Sequence, residues 1–224
     1  MAAAGGRGDE LADLRSSLLA GLDAAHAARE AGLAACRRVV RGSGSAIRAV
    51  HRLDPERAGR LRSEAEAALR EAQEALAPFP AVAYAGFLHD AAKEYAEACL
   101  TAALVTGDPL PGPDALDVPV AAWLGGLAEA ASELRRHVLD RLRAGELARG
   151  EQLLGVMDDA YEFLVGIDYP DALTGGLRRT VDALRAVLER TRGDVTTTVL
   201  QTRLQHTIEA GLDERRPDGP PTAR

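Results

Sequence analysis

Two pairs of carboxylates in this chain have a spacing that suits metal chemistry. Glu94 and Glu97 are three residues apart, and so are Asp159 and Glu162. Residues three apart lie side by side on one helical face, where like charges repel unless a cation compensates them. Mg²⁺ and Mn²⁺ prefer such oxygen ligands, and two facing pairs would build a site that activates a water and stabilises a phosphoryl transition state. We therefore take all four as candidate metal ligands.

Acidic pairs with this spacing also occur on ordinary helix surfaces. Glu71 and Glu74 form another such pair, and Glu129 and Glu133 come close to one. The spacing alone leaves a metal site and a solvated helix face as alternatives. Other catalytic patterns are absent from the sequence, which has no phosphate-binding glycine loop, no HExxH or Glu-x-x-His motif and no nucleophile elbow.

The composition indicates an all-α protein. Ala, Leu, Arg and Glu dominate the 224 residues and aromatic residues make up 4%, which favours helices over a sandwich, a collagen or a disordered chain. No stretch reaches the roughly 20 apolar residues that span a bilayer, and no signal segment follows Met1. We expect a cytoplasmic protein with no membrane partner. Cys36 and Cys99 lie outside any CxxC or Cys/His cluster, so we expect buried thiols.

Charge is segregated along the chain. The net charge of −7 argues against a domain that coats duplex DNA. Eight arginines and only two acidic residues nevertheless lie between Cys36 and Arg62, a local charge of +6. Arginine is the better planar partner for phosphate, and Lys93 is the only lysine.

Apolar residues recur with the 3.6-residue period of helices from Leu11 onwards. We predict one domain over residues 9–212, built from about seven long helices, between flexible tails at 1–8 and 213–224. Asp54-Pro55 is a typical helix start, Pro78-Phe79-Pro80 ends the helix that follows, and a third helix is expected from about Ala81 to Val105. Gly42 to Ser45 and Gly193-Asp194 are possible interruptions.

Several collinear segments resemble the translin superfamily. Glu94-Tyr95-Ala96-Glu97-Ala98 is similar to the Glu-Tyr-x-Glu-Ala motif of the translin-associated factor X (Trax) subfamily. Further similarity is found at residues 79–87, 123–127, 131–134, 159–164 and 177–185. The last of these segments matches the translin run Leu-Arg-x-x-x-Asp-x-Leu-Lys. Together the matches cover residues 14–199, and the chain is identified as a Trax-like member of this superfamily.

The resemblance implies a translin-like helical bundle that assembles into a closed octameric shell and binds single-stranded RNA or DNA on its inner surface. In Trax the two glutamates and a later aspartate form a metal-dependent endoribonuclease site, which here implies Glu94, Glu97 and Asp159 with Mg²⁺ or Mn²⁺. Glu162 is added to the ligand set from its spacing alone. Translins proper lack the glutamate pair and chiefly bind nucleic acid without cutting it. Because this chain keeps both glutamates, the resemblance favours the catalytic branch.

The basic stretch is the candidate nucleic-acid surface, because arginines that face a cavity could hold phosphates. Its candidate residues are Arg37, Arg38, Arg41, Arg48, His51 and Arg52. His51-Arg52 resembles a His-Arg pair of Trax. A solvated helix face is the alternative for each arginine. For contacts between subunits the candidate is the leucine-rich helix from Leu173 to Leu188 and on to Leu204, with the internal core as its alternative.

Three functions follow from these features. The first is a metal-dependent endoribonuclease that binds single-stranded nucleic acid, and the second is a binding oligomer with the same fold and no turnover. The third is an all-α nucleotide pyrophosphohydrolase, whose acidic pairs also bind Mg²⁺. Those pairs lie within a short helical hairpin, whereas Glu97 and Asp159 are about sixty residues apart. We rank the pyrophosphohydrolase last for this reason.

Overall fold

The computed structural model describes residues 6–214, which form nine helices and no strand. Six helices are long: α1 (Arg7–His51), α2 (Pro55–Leu76), α4 (Phe87–Thr106), α6 (Val120–Arg143), α7 (Leu147–Val165) and α9 (Leu177–Glu214). Three are single turns in the connections: α3 (Pro80–Ala83), α5 (Pro113–Leu116) and α8 (Asp171–Thr174). The predicted all-α bundle of long helices is confirmed.

Local signals explain where several helices begin and end. The Asp54 side chain caps α2 by accepting a hydrogen bond from the backbone N–H of Arg57 at 3.0 Å, as Asp54-Pro55 predicts. The predicted helix from Ala81 to Val105 is broken, however, into α3 and α4. Gly86, which precedes α4, has a φ of 99°, a conformation that does not continue a helix.

Both predicted interruptions of the longest helices are wrong. α1 continues through Gly42 to Ser45 for 45 residues, and α9 continues through Gly193 for 38. Gly42 serves packing instead, since a Cβ there would lie 3.2 Å from the Cβ of Ala65 on α2. Near Gly193, the side chains of Thr191 and Val195 are buried in the bundle and hold α9 in place.

The helix ends extend slightly into the predicted tails. α1 begins at Arg7 and α9 ends at Glu214, two residues beyond the predicted domain on each side. The rest of those tails, residues 1–5 and 215–224, lies outside the described residues.

Side-chain contacts define the direction of the helices. α1 and α2 are antiparallel, because Gly32 contacts Leu76 while Gly42 contacts Ala65. α4 and α6 run in the same direction, because Ala96 lies against Gly126 and Leu104 packs on the cluster that contains Leu134. The loop that carries α5 therefore returns along the bundle. It is held there by the indole N–H of Trp123, which donates to the carbonyl of Pro111 at 2.8 Å.

The core consists largely of alanine and leucine. Its main cluster joins α1, α2, α4 and α6 with parts of α7 and α9. A second cluster joins the second half of α6 to α7 and α9, and consists of Leu134, Val138, Leu153, Met157, Leu188 and Val195. Cys36 and Cys99 are buried free thiols, as predicted. None of the described helices combines the length and apolar character of a membrane span.

Replacing Gly126 with alanine should destabilise the fold, because the new Cβ would lie 2.9 Å from the backbone nitrogen of Glu97 and from the Cβ of Ala96. We expect a loss of about 1–3 kcal/mol in the free energy of unfolding, measured by urea denaturation. The matched control is Gly155→Ala, since a Cβ at Gly155 meets nothing within 4 Å. This control should gain up to about 1 kcal/mol from higher helix propensity. Equal effects of the two variants would contradict the close contact between α4 and α6.

Candidate metal centre

Three glutamates from two neighbouring helices converge on one point. Glu94 and Glu97 project from α4 and Glu129 projects from α6, and one carboxylate oxygen of each lies within 4.8 Å of the others. Glu97 is buried, whereas the side chains of Glu94 and Glu129 retain 31% and 32% of their exposure. The cluster therefore has a buried end at Glu97 and an accessible edge. Within residues 6–214, no other group of three such ligands was found.

A pair of glycines allows this convergence. A Cβ at Gly125 would lie 3.2 Å from the side chain of Lys93, and one at Gly126 would collide with the α4 backbone. With glycine at both positions, α6 lies directly against α4 at the level of Glu97. Glu129 follows Gly125 by one helical turn, so its side chain is on the same face of α6 and extends towards α4.

Burial and mutual repulsion perturb the acids. Burial, followed by the charges of Glu129 and Glu94, raises the pKa of Glu97 to about 8. Burial also raises the pKa of Glu94. These shifts mean that the folded protein holds the carboxylates together at an electrostatic cost.

The single lysine of the chain partly compensates that cost. The ammonium nitrogen of Lys93 lies 2.5 Å from an oxygen of Glu129 and 3.8 Å from one of Glu94. Burial opposes its charged form, but the hydrogen bond to Glu129 and the charges of the glutamates raise the pKa of Lys93. Carboxylates must be deprotonated to bind a metal, and with all three ionised the one ammonium leaves two negative charges. A divalent cation would neutralise them, and carboxylate oxygens are ligands that suit Mg²⁺ and Mn²⁺.

A fourth glutamate lies beside the cluster and contacts His51, which in turn contacts His137. The His51 Nε2 atom lies 2.6 Å from an oxygen of Glu133, and its Nδ1 atom lies 3.0 Å from Nε2 of His137. The hydrogen bond from His51 lowers the pKa of Glu133 despite burial. Burial, and then the charge of His51, lower the pKa of His137 to about 4. Glu133 is therefore an ionised carboxylate with a defined partner.

The structure separates the two predicted acidic pairs. Glu94 and Glu97 lie in the cluster, whereas Asp159 and Glu162 are exposed on α7 and are not part of it. Asp159 instead borders an apolar hollow of about 340 Å³ lined by residues such as Trp123 and Phe163. The third member of the cluster, Glu129, was noted in the sequence only as half of a surface-like pair. The glycines that precede it are the signal that marks a close helix contact at this point.

The residues predicted to contact phosphates are five exposed arginines and one histidine with a buried side chain. Arg37, Arg41, Arg48 and Arg52 are exposed, and their spacings of four, seven and four residues place them on one side of α1 and the residue after it; we call them the arginine stripe. Arg38 is exposed and forms an ion pair with Glu71. The His51 side chain is only 4% exposed and both of its ring nitrogens have partners, so it faces the interior at the edge of the stripe.

Comparisons with known proteins agree with this architecture. No family model matches the chain. The uncharacterized protein MJ0175 of Methanocaldococcus jannaschii is 30% identical over 196 residues, which cover 83% of this chain and 84% of that protein. The crystal structure of AfC3PO, the translin/Trax complex of Archaeoglobus, is 31% identical with a TM-score of 0.75, and covers 86% of this chain and 98% of that one. The chain belongs to the translin superfamily.

Two further structures extend the comparison. AfC3PO in complex with duplex RNA gives the same identity and TM-score and is covered over 97% of its length. Apo-NeC3PO, from Neurospora, has a TM-score of 0.71 at 18% identity, with 88% of this chain and 99% of that chain covered, and is similar in fold alone. This translin-superfamily chain therefore spans nearly the whole length of its structural neighbours.

In this translin-superfamily protein, the pKa of Glu97 predicts how stability depends on pH. The group binds its proton more tightly in the folded state (pKa about 8) than in the unfolded chain, so its contribution to stability is complete below pH ~4.5 and is lost as the pH rises to about 8. In metal-free buffer, Glu97→Gln should raise the melting temperature at pH 9 by at least about 2 °C. This is the shift that a stabilisation of about 1 kcal/mol gives in a chain of this size. At pH 5 the rise should be smaller. Scanning calorimetry at both values measures it. The same difference at pH 5 and pH 9 would contradict the prediction.

Proposed function

We propose that this protein binds RNA and hydrolyses its phosphodiester bonds with a divalent cation held by Glu94, Glu97 and Glu129. The observation that carries the proposal is the convergence of these three carboxylates from two helices on one point beside an accessible edge. Membership of the translin superfamily supports it, and so does the solved complex of AfC3PO with duplex RNA. Mg²⁺ or Mn²⁺ is the expected cofactor because all three ligands are hard oxygen donors.

The residues of the cluster have distinct parts in this proposal. Glu97 would hold the cation from the buried end, and Glu94 and Glu129 from the edge that substrate reaches. A bound divalent cation supplies a Lewis acid that activates water and offsets charge on the scissile phosphate. Lys93 lies at the same edge with 23% of its side chain exposed. With Glu129 engaged by a cation, the Lys93 ammonium would be free to donate a hydrogen bond to a phosphate oxygen.

The arginine stripe provides a path for the nucleic-acid backbone. Arg48 and Arg52 lie three residues before and one residue after His51, which reaches Glu133 beside the cluster. A strand whose phosphates contact the stripe would therefore pass close to the carboxylates. Because these contacts are electrostatic, the affinity for RNA should fall steeply with salt. Single-stranded RNA or DNA is the partner expected in the same proposal.

A non-catalytic RNA-binding oligomer is the second candidate. The observation in its favour is the ion pair between Lys93 and Glu129, which satisfies part of the acidic cluster without a cation. In this alternative the arginine stripe binds RNA and the carboxylates have only a structural part. The two candidates differ in whether cleavage depends on the glutamates.

Cleavage of labelled RNA in Mn²⁺ should depend on each glutamate of the cluster. Glu94→Gln, Glu97→Gln and Glu129→Gln should each lower the cleavage rate by more than about 100-fold, beyond the usual cost of losing an outer partner of a metal site. Glu74→Gln, on the exposed surface of α2, is the matched control and should cleave like the wild type. Asp159→Asn distinguishes the candidate metal site of the structure from the one that the family resemblance implies. We expect it to retain activity, because Asp159 lies outside the cluster.

The result that contradicts catalysis is a wild type that binds RNA without cutting it, or glutamine variants that all cut at the wild-type rate. Single-stranded and duplex RNA of the same sequence should both be assayed, with RNA binding measured on the same samples. Loss of cleavage in Asp159→Asn alone would move the catalytic centre to α7.

We propose further that the protein forms a homo-oligomer, with the octameric shell of the resemblance as the expected form. The first part of α1 projects from the bundle, since its first buried residue is Gly32. Four leucines on this projection are 58–66% exposed: Leu11, Leu14, Leu18 and Leu22. Most of the stability of a helix in a protein comes from packing of its apolar side, so these exposed leucines indicate a surface that another chain covers. The end of α9 is similar, with Leu200, Leu204, Ile208 and Leu212 exposed, whereas Leu177, Val181, Leu184 and Leu188 lie in the core.

Charge placed in the α1 leucines should dissociate the assembly. The double variant L14E/L18E should lower the mass measured by light scattering from that expected for eight chains of 23.6 kDa. Ser16→Glu is the control, because Ser16 is exposed on another side of the same helix. A wild-type protein that is monomeric at micromolar concentration would contradict the oligomer, and so would an unchanged mass in the double variant.

A further inference from the structure

The hydrogen-bonded chain of His51, Glu133 and His137 has no part in the function proposed above. It links the end of α1 to α6, and its two hydrogen bonds measure 2.6 and 3.0 Å. Both histidine side chains are almost fully buried, at 4% exposure. Buried imidazoles are unusual on a helix end that otherwise carries exposed arginines, so the arrangement calls for a physical explanation.

The Glu133 carboxylate fixes the direction of one of these hydrogen bonds. Glu133 is an acceptor, so His51 must donate to it from Nε2. The second contact joins Nδ1 of His51 to Nε2 of His137, so one of these two ring nitrogens donates and the other accepts. The chain of contacts therefore runs from His137 through His51, and it ends with His51 donating to the Glu133 carboxylate.

Glu133 is the member of this chain that lies next to the carboxylate cluster along α6. It follows Glu129 by one turn on α6, and its charge is among those that act on Glu97. A glutamate side chain left free at this position would sample several rotamers. The hydrogen bond from His51 restricts it to one, with the carboxylate beside the cluster.

We propose that His51 and His137 are positioning residues that hold the Glu133 carboxylate towards a cation bound by Glu94, Glu97 and Glu129. The inference rests on the proposed function, because it assigns the pair a part in that same site. Glu133 adds a fourth negative charge at a fixed place, and His51 acts only through it. Partners of this outer kind typically change metal affinity or activity by about 10–100-fold.

Direct Mn²⁺ titration of the whole protein, followed by the electron paramagnetic resonance signal of free Mn²⁺, tests this assignment without an activity readout. His51→Leu and His137→Leu should weaken Mn²⁺ binding, the first by about 10–100-fold. His51→Gln should restore binding to within a few-fold of the wild type, because its amide N–H can still donate to Glu133. His26→Leu is the matched control on an exposed part of α1 and should change nothing.

A double-mutant cycle shows whether His51 acts through Glu133. Glu133→Gln alone should weaken Mn²⁺ binding, and H51L/E133Q should bind no more weakly than E133Q. If His51→Leu fails to fold, His51→Asn replaces it, because its shorter amide cannot reach Glu133 from the place of Nε2, and H51N/E133Q should then match E133Q.

The outcomes separate the two levels of the proposal. Wild-type affinity in His51→Leu, in a protein that does bind Mn²⁺, overturns the positioning part and leaves the proposed function intact. Additive losses in the double variant also overturn it, since His51 would then act independently of Glu133. A wild-type protein that binds no Mn²⁺ overturns the proposed function and this inference together.

Discussion

The contact between α4 and α6 is the constraint on which the rest of the site depends. Gly125 and Gly126 let the two helices touch through backbone and small side chains, at the level where Glu97 is buried. This contact brings carboxylates from both helices close together although they repel one another. The extensive alanine core around it supplies the packing that tolerates this local cost. Carboxylates held together in this way are what the proposed cation site requires.

The charges around this contact are ordered in layers. Three glutamates and Lys93 lie at the centre, Glu133 with its two histidines lies beside them, and the arginine stripe lies on the outer side of α1. His51 connects the last two layers because it belongs to the same helix as the arginines. The overall charge of −7 hides this arrangement, which becomes visible only when the charges are placed on the helices.

The sequence predicts the helices well because their apolar period and the cap at Asp54 are local signals. Glycine is harder to interpret. Gly86 breaks a predicted helix through a positive φ, whereas Gly42 lies inside a continuous helix because it lets α2 approach. Glu94 and Glu97 could be found because they are neighbours on one helix. Their partner Glu129 is some thirty residues away, and no spacing rule says which helices meet in space.

Two other predicted site residues also show that sequence spacing does not reveal contacts between helices. Asp159 follows from family resemblance, but its position depends on how α7 packs, and the structure leaves it exposed beside an apolar hollow. His51 shares a stretch with exposed arginines, yet its place on α1 turns it inward to Glu133. A helix period distinguishes buried from exposed sides, but it does not show which polar groups across the bundle will be partners.

The most direct test of the account is to locate the cation. Crystals grown with Mn²⁺ and measured at the manganese absorption edge give its position from anomalous scattering, independently of any activity. We predict a peak between the carboxylates of Glu94, Glu97 and Glu129. A peak at Asp159 with none in the cluster, or no peak at a saturating concentration of Mn²⁺, would contradict the account.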